Sequence, residues 1–163
     1  ANGIELKTIA ELFFDQPEAQ AKLPAETEIP AFVDLAYNHL LERDPDTAGR
    51  DFWISQVEAG TVTRAEFMLE LIEGARANNA AADDVRTIED KTDIGVAYAV
   101  IAGLTDVDDA EAAMDAYVRE NAAASLDQAE ALIAGFLDDA NGANGTTEVT
   151  VALVGVVDDP FAV

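Results

Sequence analysis

Apolar residues return every three or four positions through most of the chain, the period of helices with one buried face. Ile4, Leu6, Ile9, Leu12 and Phe13 keep that spacing until Pro17, whose missing donor breaks the segment and allows a second short helix through Ala21. The first helix begins almost at the first residue, so the chain reads as a piece of a longer polypeptide. Pro30 stands where a first helical turn tolerates a proline, and Phe32, Val33, Ala36, Tyr37, Leu40 and Leu41 form the stripe of a helix ending near Glu42. In the turn Asp44-Pro45-Asp46, either Asp46 or Thr47 can cap the next helix. That helix should present Phe52, Trp53 and Val57 to the core and stop at Gly60.

Thr63-Arg64-Ala65-Glu66 has the form of a capping box, predicting a helix through about Ala77 with Phe67, Leu71 and Ile72 on its buried face. This helix and the Tyr37 helix would hold Trp53 between them. The stretch from Ala77 to Asp84 is linker-like. Ile88, Ile94, Ala97, Tyr98 and Ile101 mark a further helix stopped by Gly103, and Thr105 with Asp108 should cap one ending near Glu120. Ser125 to Gln128 repeats the capping-box pattern before a stripe of Ala129, Leu132, Ile133, Phe136 and Leu137. Past the connector Asn141-Gly142-Ala143-Asn144-Gly145, Thr147 to Val157 turns to β-branched residues and predicts a strand that starts a neighbouring domain or adds to another sheet edge.

The expected class is mainly α: a compact bundle of about six to eight helices with a short C-terminal β-strand. Three parts are expected, namely residues 1–78 with the Tyr37–Arg64 motif, a helical continuation over 79–140, and a connector with strand over 141–163. Composition agrees, because the 50% hydrophobic share is largely alanine and aromatics make up only 7%. A chain of 163 residues can bury roughly 70% of its unfolded surface.

Charge narrows the partners. With 33 acidic against 9 basic residues the formal net charge is −24, which repels nucleic-acid phosphates and anionic lipids. A setting rich in salt or divalent cations, such as a cell exterior, suits it. The absence of cysteine removes disulfides and thiolate metal sites. No signal-peptide pattern opens the sequence, and no apolar run is long enough for a membrane span.

The arrangement of Tyr37, Arg43, Asp46, Gly49, Trp53, Gly60 and Arg64 resembles the domain-of-unknown-function 4214 family. Glu42-Arg43 replaces the family's usual Gly-Arg, Phe52-Trp53 replaces Tyr-Trp, and Thr63-Arg64 matches its later pair. Asp90 to Val100 is similar to a downstream Asn-Lys and Tyr-Ala segment, so the likeness spans residues 4–103 and extends toward 140. It implies a helical module of bacterial secreted, calcium-repeat, surface-layer or adhesin-like proteins. A similar helix–turn–helix pattern occurs in phycobilisome linkers, which are structural.

Candidate chemistry lies within that motif. Arg43 can hold the last carbonyls of its helix, clamp Asp46 or Asp51, or bind a sugar acid or phosphate as a ligand cation. Tyr37 and Trp53 are either core residues or a sugar-stacking platform. Asp44, Asp46 and Asp51 could offer hard oxygens to calcium, although Ala48 and Ser55 stand where an EF-hand needs ligands; helix capping and solvation explain them with fewer assumptions. Asp83-Asp84, Asp108-Asp109, Asp138-Asp139 and Asp158-Asp159 are further acidic pairs that either face water or collect calcium loosely.

His39 is the only histidine and has no cysteine beside it to build a zinc site. No phosphate loop, nucleophile elbow or histidine pair is present. The expected role is noncatalytic: a structural or adhesive extracellular module that contacts neighbouring domains, surface polysaccharide or further copies of itself. A calcium-assisted carbohydrate-binding module and an accessory region of a secreted hydrolase are the alternatives.

Overall fold

Local signals place most of the helices in the computed structural model, which describes residues 5–78 and 81–144. Eight α-helices are found among them: α1 (Leu6–Phe14), α2 (Pro17–Lys22), α3 (Ile29–Leu41), α4 (Thr47–Glu58), α5 (Arg64–Ala77), α6 (Ala82–Val96), α7 (Val107–Asp115) and α8 (Ala122–Asn144). There is no strand among the described residues, and the expected strand over Thr147–Val157 lies outside them. The chain divides into two compact units between Val85 and Arg86, inside α6.

In the first unit the start and stop residues act as their chemistry requires. Pro30 lies in the first turn of α3, and Glu42 ends that helix in the left-handed region at φ 52°. The Asp46 carboxylate accepts from the Gly49 amide to cap α4, and Gly60 follows that helix at φ +67°. Thr63 and Glu66 form both halves of the capping box of α5. Phe32, Val33, Ala36, Leu41, Phe67 and Leu71 are buried as the core of this unit. Phe14, Phe32, Phe67 and Trp53 join in a chain of edge-to-face contacts with ring centroids 6.1, 5.6 and 5.0 Å apart.

Two apolar stripes are less buried than their period suggests. On α1, Leu6, Leu12 and Phe13 are exposed, because the helix lies against α5 along one side only. Phe52 on α4 is also exposed, at 53%. Neighbours in a helix point about 100° apart, so with Trp53 turned toward Phe67 the Phe52 ring is carried outward.

The second unit buries Ile94, Ala97, Tyr98, Ala113, Tyr117 and Ile133 in one cluster. Here α6 runs into a π-helical turn, Ala97–Ile101, in which the Ala102 amide donates to the Ala97 carbonyl. The extra residue in that turn swings Ile101 off the buried stripe expected for it, and its side chain is exposed.

Three helix ends differ from the sequence expectation. Asp106, not Thr105, caps α7, because its carboxylate accepts from the amides of both Asp108 and Asp109, and the helix ends at Asp115. Ser125 is buried within α8, its hydroxyl donating back to the Ala122 carbonyl at 3.0 Å. A 3-10 turn, Arg119–Asn121, leads directly into α8, which leaves no cap position at Ser125. The same helix continues through Asn144, past the connector's expected start.

Candidate functional site

The motif residues converge where α3 turns into α4. Tyr37 reaches this place from the last turns of α3 and is 5% exposed. Burial raises the pKa of its phenol, while a hydrogen bond with Trp53 and the nearby Arg43 charge act in the opposite direction. Gly49 on α4 lies against this ring. A Cβ there would stand 3.1 Å from the Tyr37 hydroxyl and 3.3 Å from Asp46 Oδ2, closer than ordinary van der Waals contact. The motif glycine is therefore explained by the approach of α4 to a tyrosine hydroxyl.

Arg43 follows the left-handed Glu42, which redirects the chain as α3 ends. Its Nε donates to Asp84 Oδ1 at 2.8 Å and its Nη2 to Asp84 Oδ2 at 2.6 Å, the two-pronged geometry of a planar guanidinium on a carboxylate. Nη1 donates to the Asp44 carbonyl at 3.0 Å, and the guanidinium carbon lies 5.2 Å from the centre of the Tyr37 ring. The hydrogen bond with Asp84 raises the Arg43 pKa above its already high ordinary value.

The Asp84 side chain is only 7% exposed. The partners expected for Arg43 on its own turn, Asp46 and Asp51, are replaced by a carboxylate 41 residues away. Asp84 belongs to the first turn of α6 and does not simply face water as an acidic pair would.

The three aspartates considered for calcium lead separate lives. Asp44 Oδ1 accepts from the Asn38 side chain at 3.1 Å, Asp46 caps α4, and Asp51 is exposed near Arg50. Among the described residues no three His, Cys, Asp or Glu side chains are placed to share an ion. His39 is exposed on α3.

A second clamp lies nearby. Arg50 Nε and Nη2 donate to the two oxygens of Asp34 at 2.6 and 2.8 Å, tying α4 to α3. This bond is the main cause of the lowered Asp34 pKa, with burial opposing it. Arg64, the last motif cation, donates to the Thr27 carbonyl and lies 4.6 Å over the Phe32 ring. Each of the three arginines thus joins two segments of the first unit.

The aromatic pair at the end of the motif is partly open. Trp53 is half-buried, sitting between Phe67 on one side and Tyr37 on another, as the two-helix clamp requires. Phe52 meets it edge to face, with centroids 4.9 Å apart, and turns toward solvent.

Sequence reasoning missed Asp84, Asp34 with Arg50, and the reason for Gly49. Only the last leaves a local signal, since a glycine inside a helix costs about 1 kcal/mol and calls for a packing reason.

Residues 10–80 match the family described as Domain of unknown function (DUF4214). The match takes in most of α1 and all of α2 to α5. No curated protein matches the chain, and no solved structure does.

Proposed function

We propose that this chain, whose residues 10–80 match the DUF4214 family, serves as a noncatalytic structural module of a larger bacterial secreted or cell-surface protein. The observation that carries the reading is the inward use of the motif's chemistry. Arg43 is spent on Asp84 and the Asp44 carbonyl, Arg50 on Asp34, Arg64 on Thr27, and Asp46 on its helix cap. Arg43 and Arg50, whose forks already grip a carboxylate, gain little by binding a ligand, because each new bond costs an existing one. Arg64 keeps one buried nitrogen, Nη1, without a hydrogen-bond partner, but that atom is closed off from solvent. The net charge of −24 favours a cation-rich exterior and supports the extracellular setting. No helix among the described residues is long and apolar enough to cross a membrane.

One observation favours a second reading, a carbohydrate-binding module. The exposed Phe52 beside the half-open Trp53 offers apolar surface of the kind on which sugar rings stack. The calcium assistance expected from Asp44, Asp46 and Asp51 would require these side chains to rearrange, since they are not placed to share an ion.

A single series separates the readings. The chain is titrated with calcium and a panel of bacterial polysaccharides, with sodium at matched ionic strength as control, while melting temperature and binding heat are followed. The structural reading expects the same melting temperature in both salts and no saturable sugar binding. Saturable binding that disappears in Phe52→Ala, with the fold retained, would replace it with the carbohydrate reading. A calcium-specific rise in melting temperature lost in Asp44→Ala with Asp46→Ala would establish the ion site.

A further inference from the structure

Part of the apolar arc of α1 beside α5 is left open to solvent. Leu6, Leu12 and Phe13 are 57, 56 and 68% exposed, yet they fall within about 120° of one another on the helix, on an arc completed by the half-buried Ile9. Ala10 and Phe14, the next positions round, continue that arc toward the interior. The apolar arc of α1 is therefore wider than its contact with α5 can cover.

Two grooves that α1 shares with α5 adjoin this arc, one at its Leu6 end and one at its Phe13 end. One, of about 380 Å³, runs between α1 and α5 and is lined by Leu6 and Leu69 with the carboxylates of Glu5, Glu66, Glu70 and Glu73. Lys7 lies in the same groove, 3.0 Å from Glu66, and its pKa is raised first by that hydrogen bond and then by Glu66, Glu70 and Glu5 charge. One lysine thus serves several glutamates. The other groove, of about 280 Å³, is lined by apolar side chains that include Phe13, Phe14, Leu23 and Met68.

We propose that the exposed apolar arc of α1, with the groove beside it, docks a basic amphipathic helix of a partner polypeptide. Its apolar side would seat on Leu6, Leu12 and Phe13, and its lysine or arginine heads would reach Glu5, Glu70 and Glu73 along the groove. Long basic side chains suit this floor, because their methylene stems cover Leu6 and Leu69 while their charges meet the carboxylates. Charge also selects against a second copy. The chain carries −24, and Arg43, Arg50 and Arg64 are already held inside its first unit. The inference gives the proposed structural module a partner class, and it fails separately, since the inward use of the motif does not depend on α1.

The test measures binding of a synthetic Leu/Lys amphipathic helical peptide to the full chain by fluorescence anisotropy. Any basic peptide is drawn to an acidic protein, so the decisive variant is Leu6→Asp with Phe13→Asp, which adds negative charge while removing the apolar seat. Docking predicts saturable one-to-one binding that weakens about tenfold in this variant, with the far-UV circular dichroism unchanged. Unchanged or tighter binding in the variant would mean bulk charge attraction and overturn the proposal. Glu70→Gln with Glu73→Gln should also weaken the peptide, whereas Asp108→Asn with Asp138→Asn, in the second unit, should not. Two results would assign another occupant and likewise overturn the proposal: dimerisation in sedimentation lost in the double-aspartate variant, or peptide binding that begins only when residues 145–163 are removed.

Discussion

Between residues 5 and 85 the helices are pinned by guanidinium groups set on carboxylates and aromatic rings. From 86 to 144 they close on alanines and two buried tyrosine hydroxyls. The first unit relies on Arg43 with Asp84 and Arg50 with Asp34, and on the ring chain from Phe14 to Trp53. In the second, Ala97, Ala113 and Ala129 are fully buried, while Tyr98 and Tyr117 donate to the Asp106 carbonyl and the Asp90 carboxylate at 2.6 and 2.8 Å. Small residues let helices approach closely and demand little of distant partners. Clamps fix which segment meets which, but where the carboxylate is buried, as at Asp84, losing the arginine strands a charge.

The largest expected contrast comes from core truncation. Phe67→Ala removes a ring that touches both Phe32 and Trp53 and should cost about 4 kcal/mol; Ile133→Ala, in the second core, should cost about 3 kcal/mol. Trp53 is the only tryptophan, so its fluorescence during urea unfolding reports the first unit alone. The Phe67 variant should move that transition strongly and the Ile133 variant little. Equal shifts would mean that the units unfold together and that the comparison holds for materials but not for cooperativity.

The clamps come next. Arg43→Ala leaves the buried Asp84 carboxylate without its two-pronged partner and should cost about 3 kcal/mol. Arg43→Lys restores the charge without the fork and should recover only part of the loss. The corresponding change in the second unit, Tyr117→Phe, breaks hydrogen bonds to Asp90 and to the buried Thr87 and should cost about 2 kcal/mol. Urea midpoints at constant slope would rank the three. If Tyr117→Phe costs as much as Arg43→Ala, the second unit depends on polar contacts as heavily as the first.

Glycine substitutions sharpen the comparison at smaller scale and with opposite signs. A Cβ at Gly135 on α8 meets nothing within 4 Å, so Gly135→Ala should stabilise by about 1 kcal/mol through helix propensity. Gly49→Ala gains the same propensity but presses on the Tyr37 hydroxyl and the Asp46 carboxylate, which is fixed as the α4 cap. Its net effect should be a loss of about 1 kcal/mol. Thermal melts of the two variants would show shifts in opposite directions.

The two units also differ in how far their sequence disclosed them. Caps and stops such as Asp46, Thr63 with Glu66, Gly60 and Gly103 act over three or four residues, so their patterns are visible in the chain itself. Arg43 announced itself as a clamp, but its partner did not. Among 33 acidic residues nothing local distinguishes Asp84, and the pairing depends on how α6 returns to α3. Periodicity identified α1 correctly as a helix and overstated its burial, because spacing shows which face could be covered and not what is present to cover it. In the second unit, Ser125 had the sequence of a cap, yet the preceding 3-10 turn had already started the helix.

Acid provides the smallest test, and the sign of each response follows from the carboxylates. In the first unit, Asp34 is held below its ordinary range chiefly by the Arg50 hydrogen bond, and Glu66 chiefly by the Thr63 amide and then by Lys7. Groups with lowered pKa values bind protons less readily in the folded state, so their stabilisation is present above about pH 4 to 5 and fades as the pH falls. Asp109 in the second unit behaves in the opposite way. Burial first, and then the charges of Asp106, Asp108 and Asp139, raise its pKa, so its folded state gains on protonation and loses stability as the pH rises through that shifted value. Lower net charge relieves repulsion in both units, and Asp109→Asn separates that background from the local effect. Chemical denaturation between about pH 3 and 6 should show the Trp53 transition weakening with acid while amide protection factors in α7 and α8, corrected for the intrinsic exchange rate at each pH, rise, with the second trend flattened in Asp109→Asn. Parallel weakening of both would show that the Asp34 and Glu66 contacts govern the whole chain, and the division into clamped and close-packed units would then carry no weight in acid.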